Sequence, residues 1–242
     1  MIQIKNVSIS FDKQVVLENI SFDINDKETI LVVGQSGCGK SVLMKIIAGL
    51  LIPDSGKVII DGKQLVESSK PDAIKIRQNL AMLFQGSALL DSMNVFQNVA
   101  LPLFEHTKLS HQEIEKLVKE KLALVGLTDI LHRMPAELSG GMKKRVAFAR
   151  AIITNPQYII YDEPTTGLDP VMASEIISLI SKLHHTHSTA TVIVTHDLYC
   201  IEKISGRIVM LADNNIIFDG NYNNYKNVQD KRIKKFLYST ER

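Results

Sequence analysis

Residues 34–41 read Gly-Gln-Ser-Gly-Cys-Gly-Lys-Ser, the Gly-x-x-x-x-Gly-Lys-Ser/Thr spacing of a loop that cradles phosphate. Each residue type has a chemical reason. Gly37 and Gly39 let the backbone curl from Gly34, so that N–H groups along Gln35, Ser36 and Cys38 point inward at phosphate oxygens. Lys40 is a mobile point charge able to reach the terminal phosphates. Ser41 offers a hydroxyl to Mg²⁺. Residues 28–33 read as a buried strand closed by Gly34, and 41–50 as a helix with an apolar face. A helix N-terminus, with its partial positive charge, then abuts the anion.

Further places carry chemistry. Residues 158–163, Tyr-Ile-Ile-Tyr-Asp-Glu, read as an apolar strand ending in two carboxylates. Behind a phosphate loop, Asp162 at such a strand end is placed to hold Mg²⁺. Glu163 beside it is placed to polarise a water for attack on a terminal phosphate. Residues 190–195 form another apolar strand, which delivers His196 at the end where ligands sit in α/β sheets. Leu138-Ser139-Gly140-Gly141-Met142 opens a second helix; Ser139 is a natural N-cap, and the exposed N–H groups make a second anion site. Phe11, before the Asp12-Lys13 turn, is either a purine-stacking aromatic or a core aromatic, and position alone leaves both open.

Hydrophobic residues make up 45% of the 242, enough for the core of one large domain or two small ones. Lys plus Arg is 28 against 26 Asp plus Glu, a net +2, with no lean toward nucleic acid or acidic partners. The two cysteines are Cys38 and Cys200. A disulfide at Cys38 would obstruct the phosphate loop, which points to a reducing, cytosolic compartment. The first residues alternate like a strand and lack the basic start of a secretory signal. No stretch reaches the roughly 18 apolar residues of a membrane-spanning helix; the longest, 42–52, carries Lys45. A membrane role would come through a partner.

Strands and helices must position these residues. Residues 1–62 are β-rich, an antiparallel sheet edge wrapped around the phosphate-loop strand and helix, with a turn at 53–56. A strand over 80–84 ends at Gln85. A helical region spans 95–125, with Ser110-His111-Gln112-Glu113 in capping-box form and Gly126 at its C-terminus. Pro156 stops the helix that starts after Ser139; on it, Lys143, Lys144 and Arg145 read as a solvated face rather than a nucleic-acid patch. Asp169 caps a further helix with Pro170 at its first position. His184, His185 and His187 close that helix as a solvated end rather than a zinc site, and His106 and His111 are solvated helix-end residues. Asp197 caps the helix after His196. A hairpin spans 207–220. The basic-amphipathic tail, 221–242, reads as a docking helix for a partner or a second copy in preference to a membrane-surface segment.

Taken in order, these motifs resemble the ATP-binding subunit of an ABC transporter over nearly the whole chain. Gly34 to Ser41 match its P-loop, Gln85 the Q-loop glutamine, and 138–142 the signature loop, with Met142 where Gln is more usual. Residues 158–162 match Walker B, Glu163 the catalytic glutamate, 166–169 the D-loop, His196 the switch histidine and Phe11 the adenine-stacking position. The resemblance implies one α/β domain of the P-loop NTPase class: a mixed β-sheet core with an antiparallel β subdomain over 1–85 and 156–220, an inserted α-helical subdomain over 86–155, and a tail over 221–242. It implies ATP and Mg²⁺, with Ser41, Gln85 and Asp162 organising the metal and Glu163, His196, Lys40 and Gln85 catalytic. It implies a head-to-tail homodimer in which Ser139, Gly140, Gly141 and Asp169 of one chain face the ATP on the other's P-loop. Residues 85–104 would meet a membrane permease, at the cytoplasmic face of the inner membrane.

A narrower resemblance lies in residues 84–95, in Lys143-Lys144-Arg145 after Met142, and in the tail 231–237. These are similar to the Mla/Mce-type lipid-transport ATPases. That implies phospholipid as cargo, a Mce-type substrate-binding protein reached through the permease, and a small protein bound to the ATPase itself. Thr166-Gly167 departs from the commoner Ser-Ala without touching catalysis. A polar-solute importer of the amino-acid type would differ mainly in 84–95 and in its partners. A soluble ABC ATPase acting on ribosomes or DNA would carry two ATPase domains or a long coiled-coil insertion, and this chain has neither.

Overall fold

The computed structural model describes residues 1–64, 70–187 and 189–239. Two sheets organise them. The first is antiparallel, in the order β2-β1-β4-β5, from β1 (Ile2–Phe11), β2 (Gln14–Ile24), β4 (Ser55–Ile60) and β5 (Lys63–Gln64). The second runs β10-β9-β3-β8-β7-β6, from β3 (Thr29–Val33), β6 (Leu80–Leu83), β7 (Tyr158–Asp162), β8 (Ala190–Thr195), β9 (Arg207–Ala212) and β10 (Asn215–Asn221). Its strands are parallel except β10, which folds back on β9 through the left-handed pair Asp213 and Asn214.

The β-rich start is therefore not an edge of the sheet that holds the phosphate-loop strand. β3 is buried at every residue. A strand apolar on both faces takes parallel neighbours in the middle of a covered sheet, whereas alternating strands leave one face to solvent.

Period-2 alternation along β3 divides two cores. Ile30 and Val32 face α1 (Lys40–Ile47), whose Leu43, Met44 and Ile47 also meet Ile2, Ile4 and Ile9 of the antiparallel sheet. Leu31 and Val33 face the other way, into a core shared with α3 (Val95–His106), α4 (His111–Leu124), α5 (Gly140–Ile152) and α6 (Pro170–His187). The helices of 86–155 thus share their apolar core with the sheet; Phe148 of α5 stacks on Tyr161 of β7 at 5.1 Å.

Local signals in the sequence set the helix ends. Asn94 and Ser110 each form a capping box, with Gln97 and Glu113. Gly126 takes φ +73° and lets Leu127 N–H reach Leu122 O at 2.9 Å, closing α4. The region 95–125 is two helices, broken after Thr107, whose N–H and hydroxyl both bond Leu103 O. A helix not expected from the sequence, α2 (Lys70–Gln78), precedes β6. Three short helices, α7 (Leu198–Lys203), α8 (Tyr222–Asn227) and α9 (Lys231–Ser239), complete the described residues.

Three readings of charged segments are corrected. Lys144 is buried and Arg145 half-buried, so Lys143-Lys144-Arg145 is not a solvated face. His184 turns inward: its Nδ1 lies 3.2 Å from Thr29 Oγ1 and 3.0 Å from Thr189 O. The side chains of His185 and His187 lie outside the described residues. The apolar face of α9 is not offered to a partner, because Ile233 and Phe236 are buried in the chain's own core beside Tyr225 and Met210.

Candidate functional site

Parallel register assembles the site. Val33 of β3 lies opposite Thr195 of β8, Val194 of β8 opposite Asp162 of β7, and Tyr161 of β7 opposite Leu83 of β6. The residues just beyond each strand therefore emerge on one edge: the loop from Gly34, then His196, Glu163 and Gln85. They line a cleft of about 390 Å³ with Ser36, Gly37, Gly39, Lys40, Ser41 and Val42. Val16 of β2 completes the lining. The sequence reading missed it, although the Val15-Val16-Leu17 run just after the Phe11 turn was its signal.

The loop leaves no room for side chains at two glycines. A Cβ on Gly34 would sit 2.5 Å from Leu211 O, and one on Gly39, at φ +97°, 2.8 Å from Leu17 Cδ2. Lys40 is 6% exposed, and its Nζ donates to Gly34 O (2.9 Å) and Gln35 O (3.0 Å), 3.9 Å from Glu163 Oε1. Cys38 is a free thiol pushed up by burial, and Cys200 is also free.

Ser41 Oγ donates to Asp162 Oδ1 at 3.1 Å. Burial pushes the Asp162 carboxyl up, against the Ser41 hydrogen bond that favours its charge. These two hard oxygen donors suit Mg²⁺, which keeps waters and substrate phosphates as its remaining ligands.

Glu163 is buried and sits at φ +50°, a left-handed conformation uncommon for a side chain of its kind. Its N–H donates to Val194 O at 2.9 Å, which ties the strained residue to β8. Its carboxylate lies 2.9 Å from His196 Nδ1 and accepts from Thr166 Oγ1 at 3.2 Å. Oriented carboxylates of this kind can act on a water bound against a phosphate.

The remaining sequence candidates lie elsewhere. Ser139 caps α5, accepting from Met142 N–H at 3.2 Å. A Cβ on Gly141 would meet the Met172 side-chain tip, Cε, at 1.8 Å, so Met172 packs over the glycine. Asp169 accepts from Val171 and Met172 N–H, both at 3.0 Å, as the cap of α6. None of Ser139, Gly140, Gly141 or Asp169 lines the cleft. Phe11 is 45% exposed at the hairpin end opposite Gln14, which removes the core alternative; it stands outside the lining.

A phosphate loop, a strand-end carboxylate pair and a second glycine-opened helix on a mostly parallel sheet are the parts of an ATP-hydrolysing cassette. Residues 17–166 match the ABC transporter family model, and the chain belongs to that family as an ATPase with ATP as its nucleotide. Among proteins it resembles, the intermembrane phospholipid transport system ATP-binding protein MlaF of Haemophilus influenzae is 35% identical, with 98% of this chain and 90% of that protein covered. The probable ribonucleotide transport ATP-binding protein mkl of Mycobacterium leprae is 39% identical over 90% of this chain and 63% of its own length. A solved ATP-binding cassette, a dimer in a post-hydrolysis state with ADP and Pi, superposes with TM-score 0.83 at 31% identity, covering 91% of this chain and 98% of that one.

Proposed function

We propose that this chain is the energy-transducing subunit of a transporter that moves phospholipid between membranes. It works as a head-to-tail homodimer on the cytoplasmic face of a membrane permease. The near-full-length likeness to a phospholipid-transport ATP-binding protein carries the choice of cargo. The likeness to a probable ribonucleotide transport subunit favours a second reading, a polar solute. Among the described residues no helix is long and apolar enough to cross a membrane, so both readings need a permease.

Within each chain, Lys40 and the loop N–H groups hold the phosphates and stabilise charge as it builds in the transition state. Ser41, Asp162 and Gln85 would hold Mg²⁺, which when bound would supply positive charge to the phosphates. Glu163 orients the attacking water and takes its proton. His196, steadied by Glu163 through Nδ1, presents Nε2 to the γ-phosphate. Phe11 and Val16 form the base side. The Ser139, Gly140 and Gly141 N–H groups, with Asp169, close on the ATP of the partner chain. Residues 85–104 pass the motion to the permease.

The test is a tagged pull-down from membranes in mild detergent, with mass spectrometry of proteins and lipids. A permease, a Mce-type binding protein and co-purifying phospholipid support the lipid reading. A permease with a solute-binding protein moves the cargo to a polar solute. Ribosomes or DNA without a membrane protein would overturn both.

A further inference from the structure

Among the described residues the mechanism leaves two buried lysines unused: Lys121, whose Nζ donates to Asn155 Oδ1 at 2.6 Å, and Lys144, which reaches the catalytic turn. Lys144 lies on α5, one turn inside the Ser139 cap, and is 7% exposed. Its Nζ donates to Pro164 O at 2.8 Å and to Thr166 O at 2.7 Å. Those carbonyls bracket the short segment just after Glu163, and Thr166 is the residue whose hydroxyl holds Glu163 Oε2. Burial pulls the Lys144 amine below its ordinary value, while the Glu163 charge pulls it back up. A lysine desolvated this far is costly unless its donors are used, and here they are used on a turn that has to keep Glu163 at φ +50°. Lys144 does not line the nucleotide cleft.

We propose that Lys144 is a positioning residue: it clamps the 164–166 turn to α5 and thereby fixes the Glu163 carboxylate against its water. Because the same helix opens at Ser139, the clamp joins the chain's catalytic turn to the end that would serve the partner's ATP. The proposal rests on the assignment of Glu163 as the group that acts on water. Its effect belongs in turnover and not in nucleotide binding, since P-loop contacts do not pass through Lys144.

The experiment compares the full chain with Lys144→Met, Lys144→Arg, Lys144→Gln and Glu163→Gln, measuring phosphate release, ATP affinity and melting temperature for each. In Lys144→Met, kcat is expected to fall by up to about 100-fold with ATP Kd changed less than threefold, the effect of misplacing a catalytic group by about an ångström. Lys144→Arg, which keeps charge and donors, is expected to recover most of the rate. Lys144→Gln, uncharged and shorter, should lie between them and carries the test if the Met variant does not fold. An unchanged kcat in the Met and Gln variants overturns the proposal, as does a loss of kcat matched by an equal loss of ATP affinity. If Glu163→Gln is inactive while the Lys144 variants turn over normally, the clamp alone is wrong. If Glu163→Gln itself turns over normally, the clamp and the Glu163 assignment fail together.

Discussion

Asp162 and Glu163 are neighbours in sequence with opposite local circumstances. Glu163 has a histidine, a threonine and a lysine amine around it. Asp162 has one serine hydroxyl, and burial pushes its carboxyl up. A carboxyl with a raised folded value binds its proton more tightly in the native state. The ligand-free fold therefore loses stability as pH rises from the ordinary carboxylate value to the raised one, and stays at the lower level above it. Asp162→Asn removes that loss and still accepts from Ser41. We expect the ligand-free variant to melt higher near neutral pH, by on the order of 1 kcal/mol or about 2–4 °C, while Mg²⁺-dependent turnover falls about 100-fold or more. A lower melting temperature would mean the charge is stabilised by something other than the hydrogen bond seen. Glu163→Gln differs: its amide can replace both side-chain contacts, so ATP binding is expected to persist while turnover drops about 100- to 1,000-fold. Near-wild-type hydrolysis would remove Glu163 from its role.

Elements, more than single contacts, decide where the loops around the cleft stand. α5 is fixed to the Glu163 turn by Lys144 and to the loop after Gln85 by Arg150, which donates to Ala88 O (2.8 Å) and Ser87 O (3.0 Å). Both residues of that loop are left-handed, at φ +62° and +47°, so they need such anchors. α3 holds the same loop farther along. Asn98, fully buried, accepts from Leu90 N–H (2.8 Å) and donates to Leu90 O (3.0 Å) and Met93 O (2.8 Å). Asn98→Ala removes the partner of these part-buried groups and is expected to cost about 1–2 kcal/mol, with faster hydrogen exchange concentrated at 87–94; unchanged exchange there would show the loop is held by something else. Such anchors mark the boundary of what was legible in the sequence. The P-loop, the Ser110 capping box, Gly126 and the strand-end residues are local patterns, and each stands where its spacing placed it. Lys144 and His184 depend on partners distant in the chain. A run such as Lys143-Lys144-Arg145 has the same composition whether it faces water or a buried turn. Asn98 did leave a trace, as one amide on the apolar stripe of Val95, Val99 and Leu103.

At the scale of the whole molecule, the Ser139–Gly141 end stands apart from the cleft lined by the phosphate loop, which is the arrangement a head-to-tail pair would complete. Gly140 allows a clean test. A Cβ there meets nothing within 4 Å, and it is the first residue of α5, where a carboxylate interacts favourably with the helix dipole. Gly140→Asp should therefore fold as well as wild type while setting a negative charge against any phosphate. In a Glu163→Gln background, ATP is expected to convert the 27.0 kDa chain to a species of twice the mass by light scattering. Adding Gly140→Asp should abolish that dimer without abolishing ATP binding by the chain's own P-loop, seen as a stabilisation of about 2.7 kcal/mol at ATP a hundredfold above Kd. Lys40→Ala should prevent dimerisation by the opposite route. Each variant then spoils a different half of the shared site. Mixed together, the Lys40→Ala chain supplies an intact signature end and the Gly140→Asp chain an intact P-loop, so one sound composite site is restored. The mixture is expected to form a heterodimer with ATP although neither chain pairs with itself. If it stays monomeric while each chain remains folded, the two halves do not meet around one nucleotide, and the head-to-tail pairing fails with the cassette assignment intact.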